Sequence, residues 1–114
     1  PYIAQACVVG DRRKHLAAIL VPNFETLAET QSRMLGLGEL SHEELVVNPK
    51  MREFFQSRLR EFNQPLSDVE AITAFTLTAT PFTQENGELT PTLKLRRRVV
   101  QDHYRAQIDA MYGD

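Results

Sequence analysis

IAQACVVGDRRKHLAAILV, residues 3–21, sets two apolar runs on either side of a charged turn. Ile3–Val9 is partly β-branched and reads as a largely buried strand; Leu16–Val21 reads as a second, stopped by Pro22. Gly10-Asp11 opens the reversal and Arg12, Arg13 and Lys14 fill it, which predicts an antiparallel hairpin with a charged tip, most simply a solvated loop and alternatively a phosphate contact. Cys7 falls inside the first strand, where a small thiol packs as a core residue with no base beside it.

Downstream, the period changes from strand to helix. Asn23 is placed to cap a helix carrying Phe24, Leu27, Ala28, Gln31, Met34 and Leu35, with Gly36 and Gly38 ending it. Ser41-His42-Glu43-Glu44 has the S-x-x-E form of a capping box and predicts one short turn with Leu45 and Val46. Asn48-Pro49 starts a further helix, whose Met51, Phe54, Phe55, Leu59 and Phe62 form an apolar stripe facing the core. Asn63–Ser67 is a connector, and the alternation in Ala71–Thr78 predicts a third strand with Thr73, Phe75 and Leu77 on one face. A last helix runs from about Leu93 or Leu95 to Met111, with Val100, Tyr104, Ile108 and Met111 on its apolar side. The order ββααβα predicts an α+β domain in which helices pack on a mixed three-stranded sheet.

Composition restricts the functional classes. A chain of 114 residues holds one core but is small for a complete multi-substrate enzyme. The hydrophobic fraction of 42% and charged fraction of 25% are those of a water-soluble globular domain. A net charge of −2 argues against nucleic-acid binding, which needs a broad basic excess, and few aromatics flank the basic run. No apolar run approaches a membrane span, and no signal peptide is visible. One cysteine leaves no internal disulfide, which fits a reducing compartment such as the cytoplasm. The start at Pro1, on the approach to a strand, predicts a piece of a longer protein. His15, His42 and His103 show no metal-ligand spacing with Cys7, so no metal site is expected. Glycine-rich phosphate loops and catalytic triads are absent, and the carboxylates fall at exposed-looking helix positions.

The stretch with chemical content is QENGELTPTLKLRRR, residues 84–98. Asn86-Gly87 signals a tight reversal, and Thr90-Pro91-Thr92 is stiff because proline fixes φ. Thr90 or Thr92 is placed to cap the last helix, with Lys94 at its start. Four of the thirteen basic residues, Lys94, Arg96, Arg97 and Arg98, fall within five positions. Spacing alone leaves three readings open: a solvated face, an anion site at a helix start, or a targeting or nucleic-acid patch.

The run Glu85–Arg97 (ENGELTPTLKLRR) closely resembles the C-terminal signature of long-chain fatty-acid–CoA ligases, a branch of the AMP-forming adenylate superfamily. Pro1–Ala6, Val8–Asp11 and Leu16–Asn23 are similar to that family's entry into its C-terminal domain, as is the closing Tyr104–Tyr112, so the likeness spans essentially the whole chain. The resemblance implies a mobile C-terminal lid over a large N-terminal adenylation domain. It implies an enzyme that uses ATP, Mg2+ and coenzyme A to convert a fatty acid to its acyl-adenylate and then to a thioester. It assigns Lys94 as the adenylation lysine, Thr90, Pro91 and Thr92 as the loop positioning it, and Arg96 and Arg97 as candidate phosphate contacts. The hinge and pantetheine-channel loop of the family lie outside this chain, so the piece alone is expected to be inactive. A fatty-acyl substrate makes peripheral membrane association an expectation as well. Glycine often precedes the lysine in the wider superfamily; here Leu93 stands there, which favours the long-chain branch over luciferase-like and peptide-synthetase relatives. The alternatives carried beside this are a stand-alone interaction module with a basic helix, and the C-terminal part of another adenylate-forming enzyme.

Overall fold

The structure, a computed structural model, describes residues 2–10, 15–33, 36, 40–65 and 71–112. Its elements in chain order are β1 (Ile3–Val9), β2 (Leu16–Pro22), α1 (Phe24–Arg33), α2 (His42–Val46), α3 (Pro49–Asn63), β3 (Ile72–Leu77), α4 (Arg97–His103) and α5 (Arg105–Tyr112). The expected α+β class and mixed sheet are present. β1 and β2 pair antiparallel, Cys7 facing Ile19, and β3 joins β2 in parallel, Phe75 facing Ala18. Parallel pairing requires a crossover, and α1, α2 and α3 supply it. The charged hairpin tip, Met34, Leu35 and Gly38 lie outside the described residues.

β2 is the middle strand, and helices cover both of its faces. This explains its unbroken apolar run: Ala18 and Leu20 enter one core, Ala17, Ile19 and Val21 the other. The first core adds Leu27, Leu45, Met51, Phe55 and Leu59 from the crossover helices and Phe75 and Leu77 from β3. The second adds Cys7 and Val9 from β1, Phe82 from the following loop, and Val100 and Ile108 from α4 and α5. The helix starts follow the local signals. Asn23 Oδ1 accepts from Thr26 N at 3.2 Å, Ser41 and Glu44 make the reciprocal capping box, and Asn48 Oδ1 accepts from Lys50 N at 2.9 Å. Among the described residues, no helix is long and apolar enough to cross a membrane.

Two expectations fail locally. Phe62 is 58% exposed rather than core-facing. It flanks the same shallow cleft as Ile3, Ala6 and Val8 of β1, an edge strand, while Met51, Phe55 and Leu59 take the covered positions of α3. The single last helix is two helices, kinked at Tyr104 (φ −111°, ψ 24°). The i→i−4 bonds from Tyr104 N to Val100 O and from Ile108 N to Tyr104 O persist through the kink. The Tyr104 hydroxyl is 2.8 Å from Thr78 Oγ1, which ties the kink to the end of β3.

Candidate functional site: the lysine hairpin

The segment from Phe82 to Arg96 is a compact loop built from its own polar groups. Gln5 fastens its start to β1: the side-chain amide donates to Phe82 O at 3.0 Å, and its oxygen accepts from Phe82 N at 2.8 Å. Thr83 and Asn86 then exchange side-chain and backbone bonds, each at 3.2 Å. Gly87 follows at φ +81°, the left-handed conformation that an Asn-Gly pair supplies at little cost.

From Glu88 the chain enters a small hairpin. Leu89 and Leu95 form an antiparallel bridge, Arg96 N donates to Glu88 O at 2.8 Å, and Thr90 N donates to Lys94 O at 2.8 Å. Pro91, Thr92 and Leu93 make the tip, closed by Leu93 N donating to Thr90 O at 2.8 Å. Thr90 Oγ1 accepts from Lys94 N at 3.0 Å and lies 3.2 Å from Thr92 Oγ1. Gln84 Nε2 reaches across to Pro91 O at 3.3 Å. The backbone at Lys94 is therefore held on both its N–H and its C=O.

This geometry corrects the expected helix start. The helix begins at Arg97, with Arg96 as an N-cap that makes no side-chain capping bond. Neither threonine caps it, because Thr90 spends its hydroxyl inside the hairpin and Leu95 is paired with Leu89. Leu93 has φ +64°, which no helical residue adopts. Lys94 accordingly sits on the hairpin ahead of α4 rather than at a helix N-terminus. A three-residue hairpin loop commonly ends on a left-handed residue, and glycine takes that place without strain. Leu93 occupies it with a side chain that is 65% exposed.

Lys94, Arg96, Arg97 and Arg98 are all exposed. Among the described residues, no carboxylate forms an ion pair with any of the four. The structure thus brings the predicted lysine, its Thr-Pro-Thr mount and the arginines onto one loop and the turn after it. An unpaired ammonium on a fixed backbone can meet a carboxylate or phosphate oxygen as a point charge with three donors.

Four polar residues have contacts that no local spacing announced: Glu88, His103, His15 and Gln5. Glu88 is not on an exposed helix position; it is 3% exposed, and its Oε2 lies 2.8 Å from Nδ1 of His103, which is therefore not isolated either. His15 likewise has a partner, Thr73 Oγ1 at 2.6 Å, and its ring lies 4.7 Å from that of Tyr112, tilted by 30°. Gln5 did leave a signal, as a lone amide within an apolar strand. Glu88 and His103 are fifteen positions apart, and no local spacing joins them. Cys7 is fully buried as expected, and burial raises its pKa above the ordinary thiol value; Arg97 opposes that shift and Glu88 adds to it.

A family model for the AMP-binding enzyme C-terminal domain matches residues 1–114. The chain belongs to this family. The long-chain-fatty-acid–CoA ligase FadD15 of Mycobacterium tuberculosis is 30% identical over 113 residues, which are 99% of this chain and 19% of the relative. The human long-chain-fatty-acid–CoA ligase 1 is 33% identical over 114 residues, 97% of this chain and 16% of that protein. Among solved structures, the A-PCP didomain of carboxylic acid reductase from Segniliparus rugosus, in complex with AMP, superposes with a TM-score of 0.73 at 25% identity, covering 99% of this chain and 14% of that one. This AMP-binding C-terminal domain therefore spans less than a fifth of the length of each of these three proteins.

Proposed function

We propose that this C-terminal domain is the mobile lid of a long-chain fatty-acid–CoA ligase and that Lys94 is its adenylation lysine. One observation carries the reading: an exposed lysine with no carboxylate partner among the described residues, mounted on a hairpin that fixes its backbone on both sides. The family match and the ligase relatives, each far longer than this chain, support a large adenylation domain as its partner.

Under this reading, a fatty-acid carboxylate oxygen attacks the α-phosphorus of ATP, and pyrophosphate leaves. Negative charge redistributes between the carboxylate and the α-phosphate as the new bond forms. The Lys94 ammonium, closed over those oxygens, stabilises that charge where water is excluded, and there a point charge acts far more strongly than in solution. Thr90, Pro91 and Thr92 keep the lysine's anchor fixed while the domain moves as a body. In the second half-reaction the domain reorients, the coenzyme A thiol attacks the acyl carbonyl, and AMP leaves. Arg96 and Arg97, both exposed, are the proposed contacts for phosphates of the nucleotide or coenzyme A. Mg2+ would travel with the ATP phosphates, held in the large adenylation domain of the enzyme. The part of the enzyme that would hold ATP and the fatty acid lies in the large adenylation domain, so the C-terminal domain by itself is proposed to be inactive. The cytoplasm is the proposed location, with peripheral membrane contact arising from the acyl substrate.

The test uses the full-length enzyme with Lys94→Ala. Fatty-acid-dependent pyrophosphate exchange should fall by about 10²–10³, the usual loss for one electrostatic stabiliser. Thioester formation from preformed acyl-adenylate and coenzyme A should be largely kept. If both activities survive intact, Lys94 is a solvated charge and the proposal is wrong.

A further inference from the structure

The base of the lysine hairpin holds an acid that the mechanism above leaves unused. Glu88 is buried to 3% exposure in a loop whose neighbouring residues, Glu85, Asn86, Pro91 and Thr92, are exposed. One carboxylate oxygen lies 2.8 Å from His103 Nδ1 in the last turn of α4. The other, Oε1, is buried with no hydrogen-bond partner. Leaving a buried carboxylate half satisfied is costly, and an apolar residue of similar size would fill the same space without that cost.

Its position gives the acid a use. The Glu88 carbonyl accepts from Arg96 N across the hairpin, so Glu88 forms the base of the ladder whose other arm carries Lys94 and Leu95. Gln5 fixes the loop to β1 before the reversal at Thr83–Asn86, and the chain enters α4 after Arg96. Between these points, among the described residues, the Glu88–His103 contact is the side-chain hydrogen bond that joins the base of the hairpin to α4. The bond is directional, so it adds an angular constraint to the packing of Leu89 and Leu95 against the second core.

We infer that Glu88 and His103 are a positioning pair for Lys94, setting the angle at which the hairpin presents the lysine. The inference rests on the proposed role of Lys94. It predicts an effect on turnover in adenylation with little effect on substrate binding or on thioester formation, because the pair acts through the angle of the hairpin and not by binding substrate.

The experiment uses full-length enzyme carrying His103→Ala, His103→Asn or the double change Glu88→Leu with His103→Leu, with Lys94→Ala in parallel. His103→Ala should lower kcat for pyrophosphate exchange about tenfold, within the range seen for sub-ångström to ångström misplacement of a catalytic group. KM for ATP and fatty acid, and the thioester half-reaction, should stay within about twofold on the same argument. Asparagine places an amide N–H near the position of His103 Nδ1, so His103→Asn should recover most of the turnover. The double leucine variant removes the buried carboxyl group and its partner together, so it should unfold at a Tm close to that of the parent yet keep the adenylation defect. Normal turnover in that folded variant overturns the inference, as does a His103→Ala loss shared equally by both half-reactions. If the double variant does not unfold cooperatively, the contrast between His103→Asn and His103→Ala decides: equal turnover in the two refutes the pair's role. If Lys94→Ala leaves exchange intact, the reading of the lysine itself fails. If Lys94→Ala abolishes exchange while the leucine pair turns over normally, only the positioning role fails.

Discussion

Leu93 offers a direct test of the hairpin geometry, because its conformation reverses the usual ranking of alanine and glycine. At φ +64° a residue with a Cβ bears about 1–2 kcal/mol of left-handed strain, which glycine lacks. Glycine in turn loses about 0.5–1 kcal/mol more chain entropy on folding than alanine does. The difference, between about 0 and 1.5 kcal/mol and centred on about 0.75 kcal/mol, leaves Leu93→Gly more stable than Leu93→Ala. Comparing the two variants with each other, rather than with leucine, cancels the loss of the partly exposed side chain. Gln56, exposed in α3, supplies the control, where glycine should be about 1 kcal/mol worse than alanine. Urea unfolding of the four variants reads these differences directly. By thermal scan the Leu93 pair should separate by about 2–4 °C in the opposite sense to the Gln56 pair. Equal stability of Leu93→Ala and Leu93→Gly, or a less stable glycine variant, would show that residue 93 is not left-handed and that the hairpin around Lys94 has been misread.

Other parts of the molecule respond in their own ways. Phe55 is fully buried at the centre of the first core, so Phe55→Ala should cost about 3–5 kcal/mol in urea unfolding, a large part of a typical domain's stability. Glu44 has its pKa lowered by the bond it accepts from the Ser41 backbone N–H; its stabilising contribution is complete above the unfolded glutamate pKa and lost as pH falls through the lowered folded one. Glu44→Gln should therefore flatten the stability–pH curve in that acidic window and leave neutral pH as the region of largest difference. Cys7, buried and with a raised pKa, should resist iodoacetamide in the folded protein near neutral pH and react at the rate of global unfolding when urea is added. Rapid labelling of the native chain would contradict its placement in the core.

Legibility in the sequence followed the range of the interactions involved. β1, β2 and the starts of α2 and α3 are set by neighbours within four positions: alternating or continuous apolar runs, Ser41 with Glu44, and Asn48 with Pro49. Those elements could be read directly. Phe62 could not, because its period matches that of Phe55 while its exposure depends on β1 being an edge strand. Thr90-Pro91-Thr92 was ambiguous for a different reason. A threonine hydroxyl accepts a backbone N–H equally well at a helix cap and in a turn, and the Leu89–Leu95 bridge that decides between them is a pairing of two leucines. Left-handed geometry would have been signalled by glycine at position 93, and leucine hid it. The Glu88–His103 contact needed α4 folded back against the hairpin before any spacing could suggest it.

The same contrast bears on how the lysine can move. Backbone bonds at Thr90, Leu93, Lys94 and Arg96, with the paired amide of Gln5, bind the loop to itself and to β1. Moving Lys94 relative to the rest of the hairpin would break several of these bonds together, and each broken one would leave a polar group to be resolvated or stranded. Rotating the whole domain breaks none of them. If Lys94 acts in one half-reaction and withdraws in the other, the displacement therefore belongs to the domain as a rigid body, and the hairpin arrives at the adenylation site already formed. Flexibility inserted at the hairpin, rather than between domains, should slow adenylation because it returns to the lysine the orientational freedom that these bonds remove.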